Sequence, residues 1–363
     1  MTDAPRTMHA VTFHEHGGLE QLRFEPVPVP EPRSGEVLVR VKACALNHLD
    51  IWIRQGIPAY HVPLPHISGC DVAGTIERVG GDQDESDLQS LAPGQPVVIS
   101  PGLSCWRCEF CLSGRDNLCP TYKILGAQVN GGYAEFVVVP IRNVLPIPRG
   151  LTFVQAAACP LVSVTAWHMV MTLAQVEPTE CVLVMGGGSG VGSMAIQLAK
   201  AVGARVLTTV GARDKVEKAK KLGADEVIDH STEDIAQRVR ELTDGHGVEV
   251  VLDHIGQRVW QACLRSLVRG GRFVTCGATT GGDLPLDARF LFSRQLTLKG
   301  AYMGTRGELV KAMRLIAAGT IRPVVDRVLP LREAAAAQQL MLDRKIFGKV
   351  VLKITDDAEE SAM

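Results

Sequence analysis

Cys181-Val182-Leu183-Val184-Met185-Gly186-Gly187-Gly188-Ser189-Gly190-Val191-Gly192 is the stretch that decides how the second half of this 363-residue chain folds. Val182 to Met185 is an uninterrupted apolar run, the pattern of a strand buried on both faces. The glycines that follow let the backbone turn tightly and approach another group closely. Beyond them Val191, Ala195, Leu198, Ala199 and Val202 recur on one face of a helix. A strand, a glycine loop and a helix in that order seat a pyrophosphate, because the helix start offers free N–H groups and a positive dipole end. The spacing is Gly187-x-Ser189-x-x-Gly192, with a small residue in the second place and with Gly190 and Val191 opening the helix. The alternative reading is a tight turn with a purely structural purpose.

Outward from this loop, strand and helix patterns alternate. Val206 to Val210, Glu226 to Asp229, Val248 to Asp253, Gly271 to Cys276 and Leu296 to Tyr302 read as strands, and a Lys-rich helix runs from Asp214 to Leu222. Such alternation predicts an α/β, doubly wound parallel sheet with helices on both faces. Residues 8 to about 158 read differently. Short alternating runs such as Val37 to Val41 and Ala134 to Val139 are closely punctuated by Pro and Gly, as in an all-β unit. Asp356 to Met363 is acidic and small and reads as a frayed tail.

The nucleotide type is read at the end of the second strand, where an acidic residue holds the ribose of NAD. Here the stretch is Val210-Gly211-Ala212-Arg213-Asp214-Lys215. Gly211 leaves room there, and Arg213 and Lys215 can neutralise a phosphate, so NADP(H) is expected over NAD(H). The competing reading makes Arg213 and Lys215 solvated helix-start residues.

Lys and Arg total 38 and Asp and Glu 39, a net charge of -1. A nucleic-acid partner is therefore not expected. No apolar run is long enough for a membrane span, and the first ten residues lack a secretory core, so a cytoplasmic location is expected. Ten cysteines in such a chain point to metal or redox chemistry. Four of them, Cys105-x2-Cys108-x2-Cys111-x7-Cys119, can close a tetrahedral sulfur shell around one structural zinc ion in a lobe at about 101–120. An iron–sulfur cluster or four free thiols are the alternatives. The other six are scattered and read as small buried hydrophobes.

Together these motifs resemble the medium-chain dehydrogenase/reductase superfamily, which includes the zinc alcohol dehydrogenases and quinone oxidoreductases. Gly35-Glu36-Val37-Leu38-Val39, Gly69-Cys70-Asp71-Val72-Ala73-Gly74, the four-cysteine lobe, the glycine loop and Gly348-Lys349-Val350-Val351-Leu352 carry the resemblance over nearly the whole chain. It implies a GroES-like β-barrel catalytic domain, residues 1–158 and 318–363, interrupted by a Rossmann domain, residues 159–317. It also implies a homodimer or homotetramer joined through the last Rossmann strand. In the zinc alcohol dehydrogenases a second, catalytic zinc is held by Cys, His and Cys. Those positions here read Asn47, Cys70 and a place near Leu161, so one plausible donor is left. A rearranged site from Cys44, Cys70, His48 and His66 is an alternative, with the two histidines otherwise lining the cleft.

The Asn47 pattern and Leu161-Val162-Ser163-Val164-Thr165-Ala166-Trp167 resemble the quinone oxidoreductase branch. That implies NADPH-dependent hydride transfer to a quinone or an α,β-unsaturated carbonyl without a catalytic zinc. Polar groups then stabilise the developing oxyanion. Asn47 and Tyr60 are the candidate catalytic residues, with Asn47 as a mere turn cap and Tyr60 as a rim aromatic the competing readings. Thr165 is expected to contact the cofactor, Gly277 to approach the nicotinamide, and His230 and Lys349 to lie on its phosphate or adenosine side. An alcohol dehydrogenase or carbonyl reductase, and a nucleotide-binding protein without turnover, remain the other readings.

Overall fold

The structure, a computed structural model, describes residues 6–58, 60–81 and 91–359. The last four residues of the acidic tail, and Ala59 beside Tyr60, lie outside them. Two compact units result, Met1–Leu161 with Pro323–Met363, and Val162–Arg322. The sequence boundaries were drawn at 158/159 and 317/318.

In the first unit, alternating apolar residues build β-structure around a main core, with a smaller cluster of Ala43, Ala45, Ala73 and Phe153 beside it. The seven-stranded sheet runs Val144–Pro146, Pro96–Ile99, Asp71–Val79, Glu36–Ala45, Lys349–Lys353 and Val325–Pro330, with Phe136–Pro140 paired to Glu36–Ala45. Val37, Val39 and Val41 project into the core beside Ile76, Val97, Val139 and Leu352. The strand Lys349–Lys353 comes from the far end of the chain and pairs antiparallel with Glu36–Ala45, Val351 opposite Ala45. The acidic tail does not fray from its start: Asp356–Glu359 is a short 3-10 turn. Lys42 Nζ donates to Asp357 at 2.6 Å, and this cation holds the Asp357 carboxyl below its usual range.

In the second unit, six parallel strands lie in the order Glu226–Asp229, Arg205–Val210, Cys181–Val184, Val248–Asp253, Leu267–Thr275, Thr297–Gly300. This is the doubly wound 3-2-1-4-5-6 arrangement of a nucleotide-binding sheet. Cys181–Val184 is buried along its whole length because neighbours flank it on both sides, Val206 and Val250 pairing with Val182. The helix Gly190–Val202 buries Ala195, Leu198 and Ala199 as the periodicity predicts, and ends at Gly203 in the left-handed region, φ 102°. The Lys-rich segment is shorter than expected: a 3-10 turn, Arg213–Lys215, precedes the helix Val216–Lys221.

Candidate active site and zinc lobe

Three constellations carry chemistry, two in the first unit and one in the second. The sulfur lobe is the most local. A two-stranded ribbon, Gly102–Leu103 with Lys123–Ile124, holds its base. The short helix Glu109–Leu112 and the 3-10 turn Asp116–Leu118 fold the intervening chain back on itself. Asn143 clamps the entry, its amide donating to Ser100 O at 2.8 Å and Gly102 O at 2.6 Å. The ligand atoms of Cys105, Cys108, Cys111 and Cys119 all lie within 4.8 Å of one another. Cys105 Sγ is 3.9 Å and Cys108 Sγ 3.5 Å from Cys111 Sγ. Zn–S bonds of about 2.3 Å in a tetrahedron put sulfurs about 3.8 Å apart, so the four fit that ion.

The second constellation lies where the catalytic zinc ligands of the alcohol dehydrogenases would stand. Asn47 is the N-cap of the helix His48–Gln55 and is 6% exposed. Its backbone N–H donates to Asp50 Oδ2 at 2.8 Å, which fixes the cap. Its side-chain amide donates to Asp71 Oδ2 at 2.8 Å and to Cys70 Sγ at 3.2 Å. Lys349 Nζ, on the last strand, donates to Asn47 Oδ1 at 2.6 Å and to Asp71 Oδ2 at 2.9 Å. Asp71 Oδ1 accepts the Leu161 N–H at 2.8 Å. Asp71 is fully buried and the Lys349 side chain 4% exposed. A buried charge persists only when paired, and this pair gathers four chain segments on one carboxylate.

A divalent cation does not fit here. The Asn47 amide turns its N–H groups, not a lone pair, toward Cys70 and Asp71. Leu161 has no donor atom, and an ammonium already neutralises Asp71. Burial, and next the Asp50 carboxylate for Cys44 and that of Asp71 for Cys70, push both thiols well above their usual range. The rearranged site fails as well. His66 is fully buried, hydrogen-bonded through Nε2 to Gly126 O at 3.0 Å and packed on Phe13, and desolvation lowers its pKa. It is a core histidine, not a cleft-lining one. His48 packs edge-on against Trp52. Among the described residues, the four lobe cysteines are the one grouping of His, Cys, Asp or Glu able to hold a metal.

The structure corrects two expectations at this site. Lys349 is not a phosphate-side residue, because its ammonium is buried against Asp71 and Asn47. Asn47 does not offer a free donor, because both of its amide hydrogens are used inside the cluster. The adjoining Asp50 is buried, accepts the Tyr133 hydroxyl at 3.0 Å, and is raised by desolvation to about 6. Gly69 is required beside it: φ is 101°, and a Cβ would lie 2.4 Å from the Tyr133 ring and 2.8 Å from Cys44 Sγ. Tyr60 lies in the loop after His48–Gln55, half-buried, its N–H on Ile57 O at 3.1 Å.

The third constellation is the glycine loop. Gly187 cannot carry a Cβ, which would lie 2.3 Å from Thr208 Oγ1, and at Gly192 one would lie 2.3 Å from Gly186 O. Ser189 caps the helix by accepting the Gly192 N–H at 2.8 Å, leaving the N–H groups of Gly190 and Val191 at the helix start. Ser189 Oγ also meets His254 Nε2 at 2.8 Å. Desolvation lowers the His254 pKa, and Asp253 opposes that shift. Gly277 packs under the same histidine, a Cβ there lying 3.0 Å from His254 O. Thr165 is 4% exposed, and its hydroxyl has no hydrogen-bond partner among the described residues. A buried hydroxyl without a partner is costly unless a ligand completes it. At the end of Arg205–Val210 the structure brings Gly211 and His230 together, His230 Nε2 being 3.1 Å from a Cβ on Gly211. Arg213 and Lys215 follow on the next turn. Asp50 reads from the sequence equally as a brace of its loop or as an acting group, and the structure makes it a brace; Asp71, Tyr133 and His254 were missed, since their partners Asn47, Asp50 and Ser189 lie 24, 83 and 65 positions away.

Comparisons with known proteins agree with this architecture. The family model "Alcohol dehydrogenase GroES-like domain" matches residues 33–149, and "Zinc-binding dehydrogenase" matches residues 190–318. The chain belongs to the medium-chain dehydrogenase/reductase superfamily. An NAD-dependent alcohol dehydrogenase of Sulfolobus acidocaldarius is 33% identical, covering 96% of this chain and 100% of the relative. The crystal structure of an NAD-dependent alcohol dehydrogenase is 45% identical with a TM-score of 0.91, covering 96% of this chain and 100% of that one. A crotonyl-CoA carboxylase/reductase in complex with NADP is 27% identical with a TM-score of 0.88, covering 97% and 96%. As a member of this superfamily the chain is an oxidoreductase. No helix among the described residues is long and apolar enough to cross a membrane.

Proposed function

We propose that this medium-chain reductase uses NADPH to reduce a quinone or an α,β-unsaturated carbonyl, without a catalytic zinc, and keeps one structural zinc in the Cys105–Cys119 lobe. The observation that carries this reading is the Lys349 ammonium on Asp71 and Asn47, where the ligand set of a catalytic metal would have to be. A substrate that needs no Lewis acid is one whose carbon is already polarised through a conjugated carbonyl. When bound, NADPH supplies the hydride, and the chain supplies binding, orientation and charge. Gly190 and Val191 offer the helix start to the pyrophosphate, with Gly187, Ser189 and Gly192 shaping the turn. Thr165 donates its orphan hydroxyl to the cofactor, and Gly277 gives its backbone clearance. Gly211, Arg213, Lys215 and His230 favour the 2′-phosphate, because the strand end carries no acid and Arg binds phosphate through a planar fork. Tyr60 is the group proposed to donate a hydrogen bond or proton to the substrate oxygen. Asn47 is a positioning residue that fixes the helix leading to that loop. Two chains are proposed to pair along the outer strand Thr297–Gly300.

A second reading has support in the relatives' printed names: an alcohol dehydrogenase or carbonyl reductase that prefers NAD(H). One experiment separates the two. We expect kcat/KM with NADPH to exceed that with NADH by about 10-fold or more on an enone and quinone panel. Arg213→Ala should remove most of that preference. A clear NADH preference, or turnover confined to simple alcohols and NAD⁺, overturns the proposal.

A further inference from the structure

The parallel sheet of the second unit has two ends. Its strand C-termini carry the glycine loop. Its strand N-termini, at Val248 and Leu267, open on a basin of about 680 Å³ at the opposite end of the sheet. Arg240, Arg265, Arg269 and Arg294 line that basin, together with His246 and Glu249.

Three of these arginines sit in the last turns of the helices Ile235–Leu242, Trp260–Ser266 and Ala288–Arg294. A helix end welcomes a cation there, at roughly half a negative charge each. Three such ends supply roughly −1.5 against four full positive charges. The carboxylate in the basin does not make up the difference. Glu249 Oε1 meets His246 Nε2 at 3.0 Å, and its Oε2 accepts the Cys181 N–H at 2.8 Å. Among the described residues, none of the four guanidiniums has a carboxylate at ion-pair distance.

Their hydrogen bonds go to backbone oxygens, which orient them without neutralising them. Arg269 Nη1 donates to Ser293 O at 2.8 Å, Arg240 Nη2 to Arg265 O at 3.5 Å, and Arg294 Nη2 to Leu267 O. Arg294 lies over the Phe290 ring, 5.0 Å from its centre, and its Nε is buried without a partner among the described residues. Desolvation lowers the Arg294 pKa, with Arg269 and Arg240 next in effect, as expected where like charges converge.

We propose that this basin is a second anion site that binds a polyphosphate chain, borne by a nucleotide or free. Four guanidiniums, three of them oriented by backbone oxygens, match several phosphate groups through forked, charge-assisted hydrogen bonds. The volume lies in the range of small-ligand pockets, and the concave form suits a compact anion rather than a nucleic-acid duplex.

Titration calorimetry on the full-length, zinc-loaded protein tests this, with the glycine loop first saturated by the preferred nicotinamide cofactor. Sodium tripolyphosphate, ATP and orthophosphate are the probes. Tripolyphosphate should bind, and more tightly than orthophosphate. Arg265→Gln with Arg269→Gln, both exposed and outside the reductase machinery, should weaken it by at least about 10-fold, with turnover unchanged. ATP binding more tightly than tripolyphosphate assigns the nucleotide; equal affinity assigns the bare chain. The proposal is overturned if no binding survives cofactor saturation, if the double variant binds as well as the parent, or if duplex RNA binds and tripolyphosphate does not. None of those results would touch the reductase reading.

Discussion

The Cys105–Cys119 lobe and the Asn47–Cys70–Asp71–Lys349 cluster are both built where this superfamily places metal, yet they are opposite in design. The lobe converges four sulfurs within 4.8 Å of one another. The cluster has a carboxylate, an amide and a thiol; its own ammonium donates to the carboxylate and the amide oxygen, and the amide N–H donates to the thiol. One set of donors has the geometry to hold an external ion. The other has a lysine side chain in place of one, supplied by the last strand of the sheet. A ligand count alone does not distinguish the two; which atoms already have partners does.

The largest effect is expected in the lobe. Cys108→Ser opens the sulfur shell and should abolish zinc binding. Structural zinc contributes folding free energy outright, so a loss on the order of 5 kcal/mol or more is expected. Metal content and denaturant midpoints check it. A Cys108→Ser protein with parental stability would mean that the lobe needs no ion, and the contrast would collapse.

Lys349→Met comes next. It strands Asp71 as a buried, unpaired carboxylate, at an expected cost of about 3–5 kcal/mol. Adding Asp71→Asn should return much of that loss, because the amide no longer needs a counter-charge. A double-mutant cycle reads the coupling. Independent, additive losses would show that the ammonium is not the carboxylate's partner in any energetic sense.

The smallest effect belongs to Asp50. Burial raises its folded pKa from the ordinary 3.8 to about 6. Between those values the folded state holds a proton that the unfolded state has released, so stability falls as pH rises from about 4 to about 6. The full loss is on the order of 2–3 kcal/mol. Asp50→Asn should remove this dependence while still accepting from Tyr133. The check is the difference in unfolding free energy between parent and variant across that window. A constant difference would contradict the assignment.

Legibility in the sequence followed sequence distance. The glycine loop and the sulfur lobe lie within single short stretches, so residue type and spacing were enough to read both. The parallel sheet was legible because its central strand, Cys181–Val184, is an unbroken apolar run, and strand and helix patterns alternate after it. The cluster was not. Lys349 and Asn47 are 302 positions apart, and only the pairing of the last strand with Glu36–Ala45 brings them together. A lysine near the end of a chain carries no local sign of burial, and the resemblance pointed it at a phosphate. The contact of Ser189 with His254, across 65 positions, was missed for the same reason. Asn47 was found by its departure from a motif, but only its hydrogen bonds show that its donors are spent.

The central claim is that one of the two sites takes zinc and the other excludes it. Total zinc per chain in the active, fully loaded protein, measured by plasma mass spectrometry alongside turnover, tests it most directly. The account predicts about one ion per chain, lost in Cys108→Ser and retained in Lys349→Met. About two ions per chain, with turnover that follows the second, would contradict it.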